Sequence, residues 1–294
     1  MDWNSKRVEA ILEHALLEDK ATSDATTELT IDPDLRASAT VLARQDCILS
    51  GLGCIPRFLA LFAKLDKKRL ARFEVISHPE IFDGVRLRKG QAIAVIRHNA
   101  RVLLACERVI LNLMQRMSGI ATLTRQYVDE ISSTSTKLLD TRKTIPGLRT
   151  LDKYAVLCGG GINHRLDLSD GILIKNNHIS LGGGLQQVLT HALANRKPGQ
   201  QIEVEVRTFE ELDLAIKGGA DSLLLDNMTP GEVRKAVKIV REQGLNIPIE
   251  ASGGIHLENI RKYALAGPDY ISVGALTHSA PAVDLSIKIT AEIY

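Results

Sequence analysis

At 294 residues, with 45% hydrophobic and 24% charged side chains, the chain has the balance of a soluble globular protein and the length for one large domain or two moderate ones. A formal charge of +2 and an aromatic content of 4% exclude a broadly basic or base-stacking surface, so no nucleic-acid partner is expected. No apolar run reaches the length of a membrane-spanning helix, so no membrane partner is expected either.

The opening run MDWNSKRVEAILEHALLEDK is charged and amphipathic. It predicts a helix over Val8 to Leu17 and lacks the apolar stretch of a signal peptide. ASATVLARQD, RFEVISHP and QAIAVIRH alternate as strands do, with Asp83-Gly84 and Lys89-Gly90 as turn signals. These elements predict a small domain over residues 1–115, with helices on one face of a sheet. The stretch ARVLLACERVILNLMQRMSGIATLTRQYVDEIS repeats its apolar positions with helical spacing, and Gly119 is expected to divide it into two helices. The four cysteines, Cys47, Cys54, Cys106 and Cys158, form no C-x-x-C pair. Scattered thiols suit a reducing compartment, and the expected location is cytoplasmic. Cys158 lies in a Gly-rich stretch and reads either as a reactive thiol or as a small buried hydrophobe.

Over residues 116–294 the texture changes. Short apolar runs recur: KLLDT, GILIK, IEVEV, SLLLD, IPIEA and YISVG, with amphipathic helical patterns between most of them. Continuous apolar strands alternating with helices predict a parallel sheet buried on both faces. Six such strands without a G-x-G-x-x-G turn fit a closed or incomplete β/α barrel better than an open doubly wound sheet. The closing VDLSIKITAEIY is expected to be a helix or strand that leaves the barrel and packs back on the N-terminal domain.

Nearly every one of these runs ends in polar residues or glycine, and in a β/α barrel the carboxyl ends of all strands open onto one functional face. After KLLD come Thr141, Arg142 and Lys143; Lys175 follows GILI; Glu205 lies near the end of its run; Asp226 closes SLLL. Ser252, Gly253 and Gly254 follow IPIEA, and Val273, Gly274 and Ala275 end the series. The last two clusters sit where barrels bind phosphate through backbone N–H groups. His164 and Arg165, in the loop GGGINHR, join Arg142, Lys143 and Lys175 as candidate cations. Read singly, each is a surface ion pair; together they would repel unless a multiply charged anion bound among them. Arginine forks suit carboxylate and lysines suit phosphate. Glu205 and Asp226 can accept from sugar hydroxyls, hold Mg²⁺ carried by a pyrophosphate, or neutralise the neighbouring lysines.

The run LLDTRKTIPGLRTLDKYAVLCGGGINHRLDLSDGILIKNNHI resembles the quinolinate phosphoribosyltransferases. ERVILNLMQRMSGIATLT before it, IEVEV, LLLDN and IEASGGI after it, and EDKATSDATT and ARQDCILSGL near the start share the likeness. It spans nearly the whole chain, and TRKT, NHR and KNNH in that order carry most of its specificity. The resemblance implies an N-terminal α/β sandwich domain and an incomplete TIM-like barrel that binds quinolinate and phosphoribosyl pyrophosphate. It implies a homodimer in which Arg108, placed by the ERVILN motif, reaches the partner's site, with a higher oligomer compatible. By motif, Arg142, Lys143, Arg165 and Lys175 bind carboxylate and pyrophosphate groups, with Thr141 and His164 in the pocket. Glu205 and Asp226 hold the ribose and its Mg²⁺. Ser252, Gly253, Gly254, Val273, Gly274 and Ala275 surround the 5-phosphate. Lys143, Lys175, Glu205 and Asp226 are the expected catalytic set. Other readings of the residues are a phosphoribosyltransferase for a different acidic ring, a Schiff-base aldolase using Lys143 or Lys175, and a non-catalytic sensor of phosphorylated metabolites.

Overall fold

The computed structural model describes residues 1–66 and 72–292. In chain order its elements begin with α1 (Lys6–Glu18), α2 (Ala25–Thr30), β1 (Arg36–Ala43), β2 (Cys47–Ile48), α3 (Cys54–Asp66), β3 (Glu74–Ile76), β4 (Arg86–Leu87), β5 (Ala92–Asn99) and α4 (Ala100–Ile131). There follow β6 (Lys137–Leu139), α5 (Arg149–Cys158), β7 (Ile172–Ile174), α6 (Asn176–Leu181), α7 (Leu185–Asn195), β8 (Ile202–Val206) and α8 (Phe209–Gly218). The chain closes with β9 (Ser222–Asp226), α9 (Pro230–Glu242), β10 (Ile249–Ser252), α10 (Ile260–Ala264), β11 (Tyr270–Ser272), α11 (Ala275–His278) and β12 (Leu285–Ala291). Among the described residues no helix is long and apolar enough to cross a membrane.

The chain divides into two compact units. One comprises Met1–Arg125, Thr144–Gly160 and Ser279–Tyr294; the other comprises Gln126–Lys143 and Gly161–His278. α4 runs unbroken through residue 115, and α5 groups with the first unit.

The first unit is built on an antiparallel sheet in the order β12-β1-β5-β3. Side chains along β1 alternate between buried and half-buried, the mark of a sheet with one covered face. Val8, Leu12 and Leu16 bury one face of α1, and Cys54, Phe58, Leu61 and Phe62 do so for α3. The closing segment is a strand, β12, paired with β1 from Ala43↔Leu285 to Ala37↔Ala291. Gly119 does not divide α4. A Cβ there would lie 2.1 Å from the Pro281 carbonyl oxygen, so the residue serves a close backbone approach and its helix-breaking tendency is overridden by packing. Cys158 is half-buried, and burial raises its thiol pKa, which disfavours the reactive thiolate.

The second unit holds a parallel sheet in the order β6-β11-β10-β9-β8-β7. In sequence order this is a circle of six strands with the ladder between β6 and β7 missing; a lone bridge, Leu139↔Ile162, stands there instead. The barrel is therefore incomplete. Its strands carry fully buried residues such as Ile202, Leu223 and Ile249, while their carboxyl ends carry the polar clusters. Helix starts reinforce the turns: Thr229 accepts from Glu232 N–H while Glu232 reaches back to Thr229, a reciprocal cap with Pro230 in the first turn.

Candidate active site at the barrel mouth

Lys175 follows β7 and caps α6. Its N–H donates to His178 Nδ1 at 2.9 Å, so the histidine of KNNH fixes the helix start rather than facing a ligand through that nitrogen. The Lys175 ammonium stands 4.0 Å from Glu205 Oε2. Glu205 is nearly buried and Asp226 largely so, and Arg207 touches both: its Nη2 is 3.6 Å from Glu205 Oε1, and its Nε is 3.1 Å from Asp226 Oδ2. Two carboxylates on adjacent strand ends with an arginine across them form one shared ionic group. All donors of the pair are oxygens, the set a hard cation such as Mg²⁺ takes, so the residues fit that ion.

Thr141 Oγ1 accepts the Lys143 N–H at 3.1 Å, and Thr277 Oγ1 donates to the Lys143 carbonyl at 2.8 Å. Both hydroxyls thus fix the backbone that presents the Lys143 ammonium. Gly274 completes the arrangement, because a Cβ on it would stand 2.9 Å from Lys143 Cδ and 3.2 Å from His278 Nε2. Arg142 and Arg165 are electrostatic neighbours. Burial, and then the charge of Arg142, depress the Arg165 pKa, a tension that an anion between the two guanidiniums would relieve.

At the ends of β10 and β11, Ser272 Oγ donates to Ser252 Oγ at 2.9 Å. Gly253 and Gly254 hold φ of +91° and +63°. A side chain on Gly253 would meet Asn227 Oδ1 at 2.3 Å, and Asn227, itself at φ +57°, donates its N–H to the Ser252 carbonyl. Val273 is buried and spends its N–H on the Leu139 carbonyl.

His164 lies in the loop after the missing ladder. Its N–H donates to Asp140 Oδ1 at 2.8 Å, and its Nε2 stands 3.3 Å from Glu203 Oε2 and 3.4 Å from Glu250 Oε2. Burial alone would lower the imidazole pKa, but the hydrogen bonds and charges of Glu203 and Glu250 outweigh it and raise the pKa to about 10. The Arg165 N–H, 2.8 Å from Nδ1, opposes a proton on that nitrogen; the two carboxylates prevail over one amide dipole.

The second unit therefore gathers Thr141, Arg142, Lys143, His164, Arg165, Lys175, Glu205, Asp226, Ser252, Gly253, Gly254, Val273, Gly274 and Ala275. Arg108 is exposed on α4 in the first unit. Arg207, Glu203, Glu250 and Asp140 escaped the sequence reading, while Asn227 was read with Asp226 as the polar end of SLLL. Strand alternation was the available signal for three of them: Glu203 and Arg207 share one face of β8 and its extension with Glu205, as Glu250 does with Ser252 on β10.

A barrel of six parallel strands with clustered charged side chains at its carboxyl face defines the class. The model of the quinolinate phosphoribosyl transferase C-terminal domain matches residues 120–288, and that of the N-terminal domain matches residues 24–118. A probable nicotinate-nucleotide pyrophosphorylase (carboxylating) of Bacillus subtilis is 41% identical over 98% of this chain and 95% of its own. The nicotinate-nucleotide pyrophosphorylase (carboxylating) of Mycobacterium leprae is 38% identical over 90% of this chain and 91% of its own. The crystal structure of NadC from Streptococcus pyogenes superposes with a TM-score of 0.90 at 34% identity, each chain fully covered. The chain belongs to the quinolinate phosphoribosyltransferase family.

Proposed function

We propose that the protein transfers a phosphoribosyl group from phosphoribosyl pyrophosphate to quinolinate with decarboxylation, giving nicotinate mononucleotide, carbon dioxide and pyrophosphate for de novo NAD biosynthesis. The observation that carries this reading is the Lys175–Glu205–Arg207–Asp226 group at the carboxyl ends of the barrel strands, with Arg142 and Lys143 following β6 on the same face.

The chemistry follows from charge. The C–O bond from the anomeric carbon to pyrophosphate breaks, the ribose gains positive character, and the pyridine nitrogen forms the new bond. Glu205 and Asp226 are placed to accept from the ribose hydroxyls and to favour that positive charge, while the lysines favour the departing anion. The quaternised ring then withdraws the electron pair of the adjacent carbon–carboxylate bond. Carbon dioxide leaves, and a proton takes its place on the ring. Mg²⁺, when bound, supplies charge neutralisation to the pyrophosphate, and Glu205 and Asp226 are the residues that would hold it. The other contribution of the protein is positioning, which converts a two-substrate encounter into a reaction within one pocket. The glycine loop at Ser252–Gly254 and Gly274 serves the 5-phosphate.

Arg108, exposed on α4, completes a partner's site in a homodimer on this reading. A cytoplasmic location is supported by the four free cysteines. The experiment is direct: protein, Mg²⁺, phosphoribosyl pyrophosphate and quinolinate are mixed and nicotinate mononucleotide is sought by chromatography. Its absence under conditions where the protein is folded overturns the reading. Borohydride trapping of a substrate on Lys143 or Lys175 would favour the aldolase instead.

A further inference from the structure

We propose that Glu203 and Glu250 are positioning residues, which together hold His164 as a charged strut between the barrel interior and the loop carrying Arg165, and thereby set the site's recognition of a dicarboxylate. The inference rests on the functional reading above and adds residues that reading does not use.

Barrel interiors are ordinarily filled by branched apolar side chains. Here β8 and β10 each turn an acid inward, one pleat below the residues of the mouth: Glu203 below Glu205, and Glu250 below Ser252. The Glu250 side chain is 4% exposed and that of Glu203 16%. Burial pushes the Glu250 pKa up, with the nearby Glu203 charge adding to the push and His164 opposing it. Two carboxylates this close and this far from solvent are destabilising unless a cation meets them. An imidazolium placed almost equally from both is such a cation. The cost persists in a fold only where something requires it, and perturbed buried charge beside a pocket is a mark of a functional site.

The geometry says what is required. The His164 backbone is tied to Asp140, next to the end of β6, and its ring is tied to β8 and β10. The loop that stands where the barrel ladder is missing is thus fastened at three strands through one residue. Arg165 follows directly, and its guanidinium is the one whose charge opposes that of Arg142. With Nε2 directed at the two acids, His164 acts through Arg165 rather than by offering that nitrogen to substrate. The charged groups that act on the ring are Glu203 from β8 and Glu250 from β10, while Asp140 after β6 holds the backbone of the same residue.

Glu250→Gln and Glu203→Gln keep the shape and remove one charge each. Outer partners of this kind typically cost about 10–100-fold on removal, and the loss is expected in KM for quinolinate, with KM for phosphoribosyl pyrophosphate little changed. Each variant should also gain a pH dependence that the wild type lacks. As the imidazole pKa falls toward its ordinary value, KM for quinolinate should rise with pH between about pH 6 and 8. Glu250→Asp should restore part of the loss. Nitrogen NMR of the substrate-free protein reads the His164 ring directly, without any assay: a ring still cationic at about pH 8 supports the proposal, and one that titrates near its ordinary value overturns it. Equal rises in both KM values would reduce the two acids to structural residues and overturn it as well. So would a divalent ion retained stoichiometrically through dialysis and lost in Glu250→Gln, since His164, Glu203 and Glu250 would then be metal ligands. If Glu250→Gln does not fold, Glu203→Gln and the NMR titration carry the test. A wild type that forms no nicotinate mononucleotide fails the functional reading, whereas the ring titration stands or falls independently of it.

Discussion

The two units bury charge in different ways. In the first, Arg116 on α4 meets the fully buried Asp152 on α5 through two parallel bonds, Nε to Oδ1 at 2.9 Å and Nη2 to Oδ2 at 2.7 Å, and Asp152 Oδ2 also accepts the Ile145 N–H. That pair is short, bidentate and closed, the geometry in which an ion pair best offsets its desolvation. In the second unit, Arg207 spans two acids at 3.1 and 3.6 Å, and Lys175 stands off at 4.0 Å. These contacts are long, shared and partly exposed. A closed pair fixes a fold, whereas an open group of charges can exchange its internal partners for those of a ligand at little cost. The difference separates structural charge from binding charge more sharply than the count of charged residues does.

The largest expected effect tests the open group through its substrate. Nicotinamide, which lacks both carboxylates, should be used about 10⁴-fold less well than quinolinate, because the site's cations would be left unpaired. Comparable kcat/KM for the two rings would show that the cations at the mouth do not select the ligand.

Next in size, Asp152→Ala should cost about 3–5 kcal/mol of stability by leaving Arg116 half-buried without its carboxylate. Chemical denaturation measures it, and a loss below 1 kcal/mol or so would show that the closed pair is dispensable. Lys143→Ala and Arg142→Ala should do the reverse, lowering kcat/KM by about 10²–10³ with the unfolding midpoint unmoved. A variant of either that unfolds early but turns over normally would erase the distinction between the two kinds of charge.

The smallest effect is a recovery. Arg108→Ala and Asp226→Ala are each expected to be nearly inactive. Unfolded and refolded together, they should regain roughly a quarter of wild-type sites, since in a twofold dimer a mixed pair has one site with both lesions and one with neither. Mixed dimers that form without recovering activity would exclude the shared site.

The sequence alone determined the strands of the barrel, because parallel strands buried on both faces need unbroken apolar runs, and it determined which residues end them. KLLDT, GILIK, IEVEV, SLLLD, IPIEA and YISVG all became neighbours in one sheet. Tertiary structure decided the rest. Gly119 kept α4 whole because the Pro281 carbonyl needed its missing side chain, and β12 returned to β1 across most of the chain's length. Neither contact is local, and no periodicity reports it. For Glu203, Glu250 and Arg207 the alternation was legible but its meaning was not. An acid on the inward face of a strand is a defect, a ligand or a strut according to what the opposite strands bring to meet it. His164 reaches the two acids across the barrel interior from a loop remote from both in sequence, and only closure of the sheet brings those groups together.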